Sequence, residues 1–167
     1  MGWKKTTTGL IGAVLFFVIG SSSALAKEPS PYGPEGKRFG AGLYLGEPIG
    51  LTLKGYLTQR WALDAAAGWS FAGDSFTLKV DGTYDILDIP VDTSVITLPF
   101  YIGVGGFLKT DEGKNNQTAV GILVPIGLAV QWTEYPVEAF LEVAPGIAVG
   151  PDTEFELMGG IGARFYF

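Results

Sequence analysis

The two carboxylates Glu138 and Glu142 are the residues whose types and spacing come closest to an acid–base pair. A protonated carboxyl group and an ionised one can act together as general acid and general base. Their four-residue spacing, however, is also what alternation along one face of a β-strand produces. The sequence contains neither histidine nor cysteine, so the commonest general base, thiolate nucleophiles, thiolate metal sites and disulfides are all missing. Serine–histidine hydrolase chemistry is therefore excluded, and a carboxylate enzyme stays open.

An acidic run offers the second candidate for chemistry. Asp81, Asp85, Asp88 and Asp92 supply the carboxylate oxygens that calcium prefers. Alternation along a strand, followed by a solvated turn, explains the same residues without a metal. We therefore expect neither a metal nor a cofactor.

The elements that must position these residues are β-strands. From Phe39 to the last residue, apolar residues or glycine recur at every second position in eight segments. The segments span residues 39–45, 51–57, 61–71, 76–86, 98–108, 120–132, 137–149 and 155–167. No charged residue occupies an apolar position in any of them. The pattern predicts an all-β protein with eight antiparallel strands.

The opposite face of these segments carries the charged residues, among many glycine, alanine and threonine residues. Its polar members are Lys54, Asp64, Lys79, Asp81, Asp85, Lys109, Gln131, Glu138, Glu142, Glu156 and Arg164, with Tyr44, Tyr56, Tyr101 and Tyr166. So many small residues suit a crowded interior better than a solvated surface. Aromatic residues of the apolar face gather near segment ends, as interfacial girdles do: Trp61, Trp69, Phe71, Phe76, Trp132, Phe155, Phe165 and Phe167. Both features favour an outward apolar face over a soluble lipocalin-like barrel with the apolar face inside.

A lipid-facing sheet has to close on itself. In lipid every backbone N–H and C=O must pair within the protein, so strands can span only as a closed barrel. Segments of roughly ten residues are long enough to cross the hydrocarbon at the usual tilt. We predict an eight-stranded antiparallel up-and-down transmembrane β-barrel over residues 39–167. Pro99, Pro125 and Pro145 fall inside segments that need a backbone donor, and β-bulges are the expected remedy.

Charges inside so narrow a barrel must pair with one another. The three-residue turn at 58–60 places Lys54 opposite Asp64, and the connection at 150–154 places Glu142 within about two residues of Arg164. Lys79 lies close enough to Asp64 or Asp81 to join them. The predicted lumen ion-pair network comprises Lys54, Asp64, Lys79, Asp81, Glu138, Glu142 and Arg164. It either plugs the lumen and sets strand register, or forms a gated polar conduit or proton relay.

The first 26 residues have the features of a cleaved secretory signal peptide. Lys4 and Lys5 form a basic start, an apolar run follows over 10–20, and Ala24-Leu25-Ala26 offers a small-x-small cleavage site. The apolar run is shorter than the roughly 20 residues that a spanning helix needs. Cleavage would leave a short N-terminal segment, 27–38, ahead of the barrel. It would also leave nine basic and seventeen acidic residues, a charge that makes nucleic acid a poor partner.

The end of the chain resembles the C-terminal assembly signal of bacterial outer-membrane barrels, Gly-x-x-Φ-x-Φ with Φ apolar. Gly162, Phe165 and Phe167 match this pattern. The resemblance implies that barrel-assembly machinery recognises the last strand.

Longer stretches resemble an uncharacterised family of small outer-membrane barrels, first noted in spirochaetes and spread through other Gram-negative bacteria. The matching stretches are 39–51, 65–71, 100–106, 124–128, 136–145, 151–155 and 159–167. The resemblance covers nearly all of 39–167 and implies an eight-stranded OmpA/OmpX-like barrel, with no established activity. The chain departs from the family around 78–86, where relatives carry histidine and more aromatic residues. Any role of those histidines would be lost here.

We expect a small integral protein of the cell outer membrane, with a plugged polar lumen and a structural or surface-interaction role. Its expected partners are the outer-membrane lipid bilayer and the barrel-assembly machinery, and the barrel is expected to be a monomer. A narrow channel for small molecules stays open as the alternative. The chain is not expected to be an enzyme: lipid A deacylases, palmitoyltransferases and Asp–His proteases of the outer membrane use histidine, which is absent. A wide diffusion pore needs about 16 to 18 strands, more than this length supplies.

Overall fold

Nine antiparallel strands follow the alternating segments in a computed structural model, which describes residues 32–70, 75–111, 118–150 and 153–167. The strands are β1 (Phe39–Glu47), β2 (Ile49–Tyr56), β3 (Trp61–Trp69), β4 (Ser75–Ile89), β5 (Ile96–Asp111), β6 (Thr118–Leu123), β7 (Ile126–Trp132), β8 (Val137–Gly150) and β9 (Glu154–Tyr166). Within the described ranges, no helix is long and apolar enough to cross a membrane. The all-β prediction is confirmed for this part of the chain. The predicted signal peptide lies outside the described residues.

The strands close into a ring of eight positions. Each of β1 to β4 pairs with the next strand along the chain, β8 pairs with β9, and β9 pairs back with β1. Strands β6 and β7 lie end to end and share one position, because both pair with β5 on one side and with β8 on the other. The result is an up-and-down antiparallel sheet closed on itself.

A proline divides the sixth position of the ring, so the prediction of one continuous strand over 120–132 is wrong. Pro125 has no N–H to donate to a neighbouring strand. Its carbonyl oxygen still accepts a hydrogen bond from the Gly103 N–H at 2.8 Å, and the Val124 N–H donates to the Pro145 carbonyl at 2.9 Å. The flanking backbone is therefore held in place although the strand is interrupted.

The other two prolines stay inside their strands. Beside Pro99, the β4–β5 register shifts between Asp85 and Leu87, which is the bulge expected there. Pro145 pairs with Leu157, and the β8–β9 register described around that pair has no shift. The bulge predicted at Pro145 is therefore wrong.

The stagger of the ring follows from the strand registers. A row of directly opposite residues runs from Glu47 through Gly159, Val143, Ile126, Ile102 and Tyr84 to Trp61. When the same registers are continued through β2, the row comes back to the first strand about ten residues before Glu47. For a barrel of eight strands, this offset corresponds to a strand tilt of about 40°. That tilt lies in the range typical of closed barrels.

The apolar face of the ring points outward and the polar face points inward. Leu51, Val104 and Ile122 on the outer wall are 64%, 66% and 60% exposed. All seven residues of the predicted ion-pair network are buried, each with no more than 2% of its surface exposed. The inside and the outside, assigned from the small residues of the polar face and the aromatic residues of the apolar face, are therefore confirmed.

Residues 32–38 close the end of the ring where the chain enters. Pro34 is buried, and a Cβ added to Gly33 would come within 2.8 Å of the Tyr56 ring. Tyr32 packs against Tyr56 and Tyr166. Strand β1 then begins at Phe39, the residue at which the barrel was predicted to start.

Candidate functional site

The interior of the ring contains a charged layer, which we define as Lys54, Asp64, Lys79, Asp81, Glu138, Glu142 and Arg164. Antiparallel register positions its first members. Lys54 lies directly opposite Asp64 across β2 and β3, as the tight turn at 58–60 predicted, and Asp64 lies opposite Asp81 across β3 and β4. Even positions point inward in β2 and β3, and odd positions point inward in β4, so the side chains of Lys54, Asp64 and Asp81 converge in the lumen.

Arg164 is the centre of the first of two groups within the charged layer. Its guanidinium forms ion pairs with Asp64 and with Glu138, the latter at 2.8 Å from Nη1 to Oε1. Thr52 Oγ1 accepts two further hydrogen bonds, from Nε at 3.1 Å and Nη2 at 2.8 Å. The guanidinium also stacks over the Phe140 ring, 3.9 Å from its centroid. Such a planar fork of donors matches carboxylates in a way that an ammonium does not.

The partner predicted for Arg164 is corrected by the β8–β9 register. Glu138, not Glu142, lies directly opposite Arg164, while Glu142 pairs with Gly160, four residues away from Arg164. The reason is the centre of the hairpin: the register places Ala148 opposite Glu154, so its midpoint lies one residue earlier than the middle of the predicted 150–154 connection. When the centre of a hairpin shifts by one residue, the partner of every residue shifts by two positions along the opposite strand.

Glu142 instead belongs to a second group of the charged layer. Its Oε1 forms an ion pair with Lys79 and accepts a hydrogen bond from the Tyr44 hydroxyl at 3.2 Å. Its Oε2 accepts one from the Tyr101 hydroxyl at 3.0 Å. Lys79 Nζ also lies 3.1 Å from Asp81 Oδ2, a distance typical of an ion pair. The angles do not make this contact a hydrogen bond, and neither Asp81 oxygen accepts a hydrogen bond from any other described residue. Lys79 therefore joins Asp81 rather than Asp64.

Glu138 is the most completely paired carboxylate. In addition to Arg164, it accepts hydrogen bonds from Gln131 Nε2 at 2.7 Å and from the Tyr166 hydroxyl at 3.1 Å. Lys54 Nζ is 3.8 Å from its Oε2 and lies near the Tyr101 ring, 4.9 Å from the centroid. Alternation predicted four tyrosines on this face, but nothing in the sequence indicated that the hydroxyls of Tyr44, Tyr101 and Tyr166 would donate hydrogen bonds to these carboxylates. The Tyr56 hydroxyl instead accepts a hydrogen bond from Gln131 Nε2 at 2.7 Å.

The charged layer is followed by an apolar layer, which we define as Phe107, Leu123, Ala144, Ala148 and Met158. Sequence reasoning missed it, because these residues stand at inward positions scattered over β5, β6, β8 and β9. Beyond it Lys109 and Glu156 form a partly exposed ion pair at 3.4 Å. The described lumen is thus filled by two layers of different chemistry.

The predicted girdle residues lie on the outer wall toward both ends. Trp61 is 51% exposed, with its ring 4.9 Å from that of Tyr84, and Trp69 is 61% exposed, with its ring 5.4 Å from that of Phe76. Trp132 ends β7 and is half-buried, and Phe155 near the start of β9 is 71% exposed. Phe71 lies outside the described residues.

Of the residues that match the assembly signal, Gly162 and Phe165 lie on opposite faces of β9, and Phe167 directly follows this strand. Phe165 and Phe167 are on the outside, 56% and 68% exposed. Gly162 faces inward, where a Cβ would collide with the Phe140 ring and the Leu43 carbonyl oxygen. Glycine at this position therefore makes room for the Phe140 ring that stacks on Arg164.

The arrangement does not provide a free acid–base pair or a metal site among the described residues. Glu138 and Glu142 are both paired with cations and tyrosine hydroxyls, and neither is more than 1% exposed. Asp81 is buried whereas Asp88 and Asp92 are exposed, so the acidic run does not converge. No group of three or more acidic side chains in the described ranges could hold a metal ion.

Comparisons with protein-family models, with curated proteins and with solved structures found no match. Two features of the structure bear on the function: an apolar outer wall, and charged side chains buried inside a closed ring.

Proposed function

We propose that this protein is a small integral outer-membrane β-barrel whose plugged polar lumen serves a structural or surface-interaction role. The observation that carries the proposal is the inverted distribution of side chains. Leucine, valine, isoleucine and aromatic residues cover the outer wall on every strand, while the buried charged residues all lie within the ring. Water-soluble proteins rarely expose contiguous apolar patches larger than a few hundred Å².

Backbone hydrogen bonding supports the same proposal. A closed antiparallel ring leaves no open sheet edge, and closure is the condition for β-strands to cross a lipid bilayer. The tilt of about 40° and the aromatic residues toward both ends of the outer wall fit a membrane barrel with girdles at the two interfaces. A soluble lipocalin-like barrel would need the reverse distribution, with its apolar side chains lining the interior.

Features of the sequence support the outer membrane as the location within the proposal. A signal peptide over 1–26 would direct export, and the C-terminal pattern at Gly162, Phe165 and Phe167 would engage the barrel-assembly machinery. The resemblance to the spirochaete-type family of small barrels points the same way. We propose a monomer that contacts lipid around its whole circumference.

Two layers of packing favour a plug over a channel. The side chains that form the ion pairs of the charged layer are each no more than 3% exposed, and the apolar layer follows this layer along the axis. A conduit for ions or small polar molecules would leave the charged side chains accessible to water. The barrel would then act through its stability in the envelope, or through the loops at its rim.

Single-channel recording on the mature protein, refolded and inserted in a planar bilayer, tests the plug. We expect no conductance steps from the wild type. The Lys54→Ala variant removes a buried cation, so we expect it to unfold more readily and still to show no steps. Gln59→Ala, at an exposed turn, is the matched control and should change neither property. Reproducible wild-type steps that Lys54→Ala alters would replace the plug by the narrow-channel alternative.

A further inference from the structure

The charged layer does not balance its own charge. Among the described residues, the buried charged side chains are the four carboxylates Asp64, Asp81, Glu138 and Glu142 and the three cations Lys54, Lys79 and Arg164. One negative charge is therefore left over in a compartment sealed from water. An uncompensated buried charge is costly enough that proteins neutralise it or pair it.

Hydrogen bonding identifies the carboxylate that carries the excess. Glu138 and Glu142 each accept several hydrogen bonds, and Asp64 accepts one from Arg164 on Oδ1. Asp81 differs, because both of its oxygens are buried and have no hydrogen-bond donor among the described residues. Its one close cation, Lys79, is also the ion-pair partner of Glu142. Two carboxylates therefore compete for a single ammonium group.

The residue opposite Asp81 supplies a matching acceptor. Asp64 faces Asp81 directly across β3 and β4, and Asp64 Oδ2 likewise has no hydrogen-bond partner in the described part of the chain. On the other side Asp81 faces Gly105, where a Cβ would collide with Asp81 Oδ1. Like charges directly opposite each other in a sheet are destabilising, and two carboxylates that share a site do not both ionise readily.

We propose that Asp81 and Asp64 form a buried binding site for one proton. The proton comes from solvent during folding and forms an O–H bond on an Asp81 oxygen, and this O–H donates a hydrogen bond to Asp64. The added charge brings the layer to neutrality. An alkali-metal ion would supply the same charge, but the described residues offer no group of three acidic side chains to hold one.

Eight of the nine strands described contribute charged, hydroxyl or amide side chains that belong to the charged layer or hydrogen-bond to it. They are Tyr44 on β1, Lys54 on β2, Asp64 on β3, Lys79 on β4, Tyr101 on β5, Gln131 on β7, Glu138 and Glu142 on β8, and Arg164 and Tyr166 on β9. Apart from Asp64 and Asp81, each carboxylate in this set accepts hydrogen bonds from at least one cation and one tyrosine hydroxyl.

Infrared spectroscopy of the refolded mature protein at neutral pH tests the site, because a protonated carboxyl group has a carbonyl stretch distinct from that of a carboxylate. We expect one buried protonated carboxyl in the wild type and its loss in Asp81→Asn. Glu156→Gln, at the partly exposed pair with Lys109, is the matched control and should keep the band. A wild type without the band, or a band lost in Glu142→Gln but kept in Asp81→Asn, would overturn the proposal.

Stability measurements separate the proton from a metal ion and from a general loss of folding. Asn mimics the neutral acid, so Asp81→Asn should retain the wild-type unfolding midpoint, whereas Asp64→Asn weakens the partner of Arg164 and should lower it. The wild-type midpoint should be the same in sodium, potassium and choline chloride. A midpoint that depends on the cation, with the dependence lost in Asp81→Asn, would assign the site to a metal ion instead. The test concerns the sealed interior, so its failure leaves membrane insertion untouched.

Discussion

The charged layer and the apolar layer fill the same lumen by different means. The charged layer packs through directional contacts: in a single orientation, Arg164 contacts two carboxylates, a threonine hydroxyl and the Phe140 ring. In the apolar layer, Phe107, Leu123 and Met158 contact one another through shape and volume alone. A change of strand register would disturb both layers. In the charged layer, however, each misplaced partner would also leave a buried charge unpaired, which costs free energy.

The difference implies that the two layers contribute differently to folding: the charged layer mainly to strand register, and the apolar layer mainly to stability. Buried ion pairs contribute little net stability compared with apolar packing, yet removing one partner is strongly destabilising. The charged layer therefore penalises wrong registers more than it strengthens the right one. Burial of the apolar layer raises the free energy of unfolding, and this layer tolerates substitutions that conserve side-chain volume.

The largest effect is expected where the charged layer loses its centre. Arg164→Ala leaves Asp64 and Glu138 without their main cation, and breaking such a buried pair should lower the free energy of unfolding by about 3–5 kcal/mol. Urea unfolding of the refolded protein in detergent micelles measures the loss. A change below about 1 kcal/mol would mean that the layer is solvated, as surface ion pairs are.

A charge on the outer wall should cost somewhat less. Ile102 and Ile126 lie directly opposite each other on the outside of β5 and β7. Ile102→Arg should lower the free energy of unfolding from lipid vesicles by about 2–4 kcal/mol if the position is near the bilayer midplane. Gln59→Arg at the exposed turn is the control, with an expected cost of about 0–1 kcal/mol near the interface. Equal stabilities for the two variants would contradict the assigned faces.

Conservative replacements compare the two layers directly. Met158→Leu nearly conserves volume in the apolar layer and should cost less than about 1.5 kcal/mol. Arg164→Lys keeps the charge but loses the planar fork that serves Thr52 and both carboxylates, so we expect a loss of about 1.5–3 kcal/mol. Both values come from the same urea titrations. If Met158→Leu proved the more damaging change, the contrast between directional and volume-based packing would be wrong.

The smallest effect is expected at the rim. Lys109 and Glu156 form a partly exposed pair outside the apolar layer. Lys109→Ala should therefore change the free energy of unfolding by only about 0–1 kcal/mol, and less at high salt. Unfolding curves at low and high ionic strength measure this. A loss comparable to that of Arg164→Ala would extend the sealed region to this end of the lumen.

Sequence reasoning succeeded where a local rule determines the structure. Strict alternation separated the two faces of each strand, and the small and aromatic residues on them indicated which face points inward. The short turn at 58–60 was enough to place Lys54 opposite Asp64. It failed where the outcome depends on a loop centre or on a single proline. The hairpin after β8 shifted the partner of Arg164 from Glu142 to Glu138, and Pro125 divided a segment whose alternation continued through it.

Other features of the interior depend on distant strands and leave no trace in the local sequence. The hydroxyls of Tyr44 and Tyr101 reach Glu142 from residues far away along the chain, so only the closed ring brings them together. The apolar layer is likewise assembled from single inward residues on four strands. Period-two alternation identifies the face of such residues, but not their height along the barrel axis.

Quenching of the native tryptophan fluorescence tests the central claim of an outward apolar wall most directly. Of the four tryptophans, Trp3 lies in the predicted signal peptide, and Trp61, Trp69 and Trp132 lie in the predicted barrel. In vesicles made with lipids brominated near the headgroup end of the acyl chains, we predict strong quenching of their emission and weak quenching by aqueous iodide. Strong quenching by iodide with no effect of brominated lipid would contradict the account, as would a mature protein that is monodisperse in water without detergent.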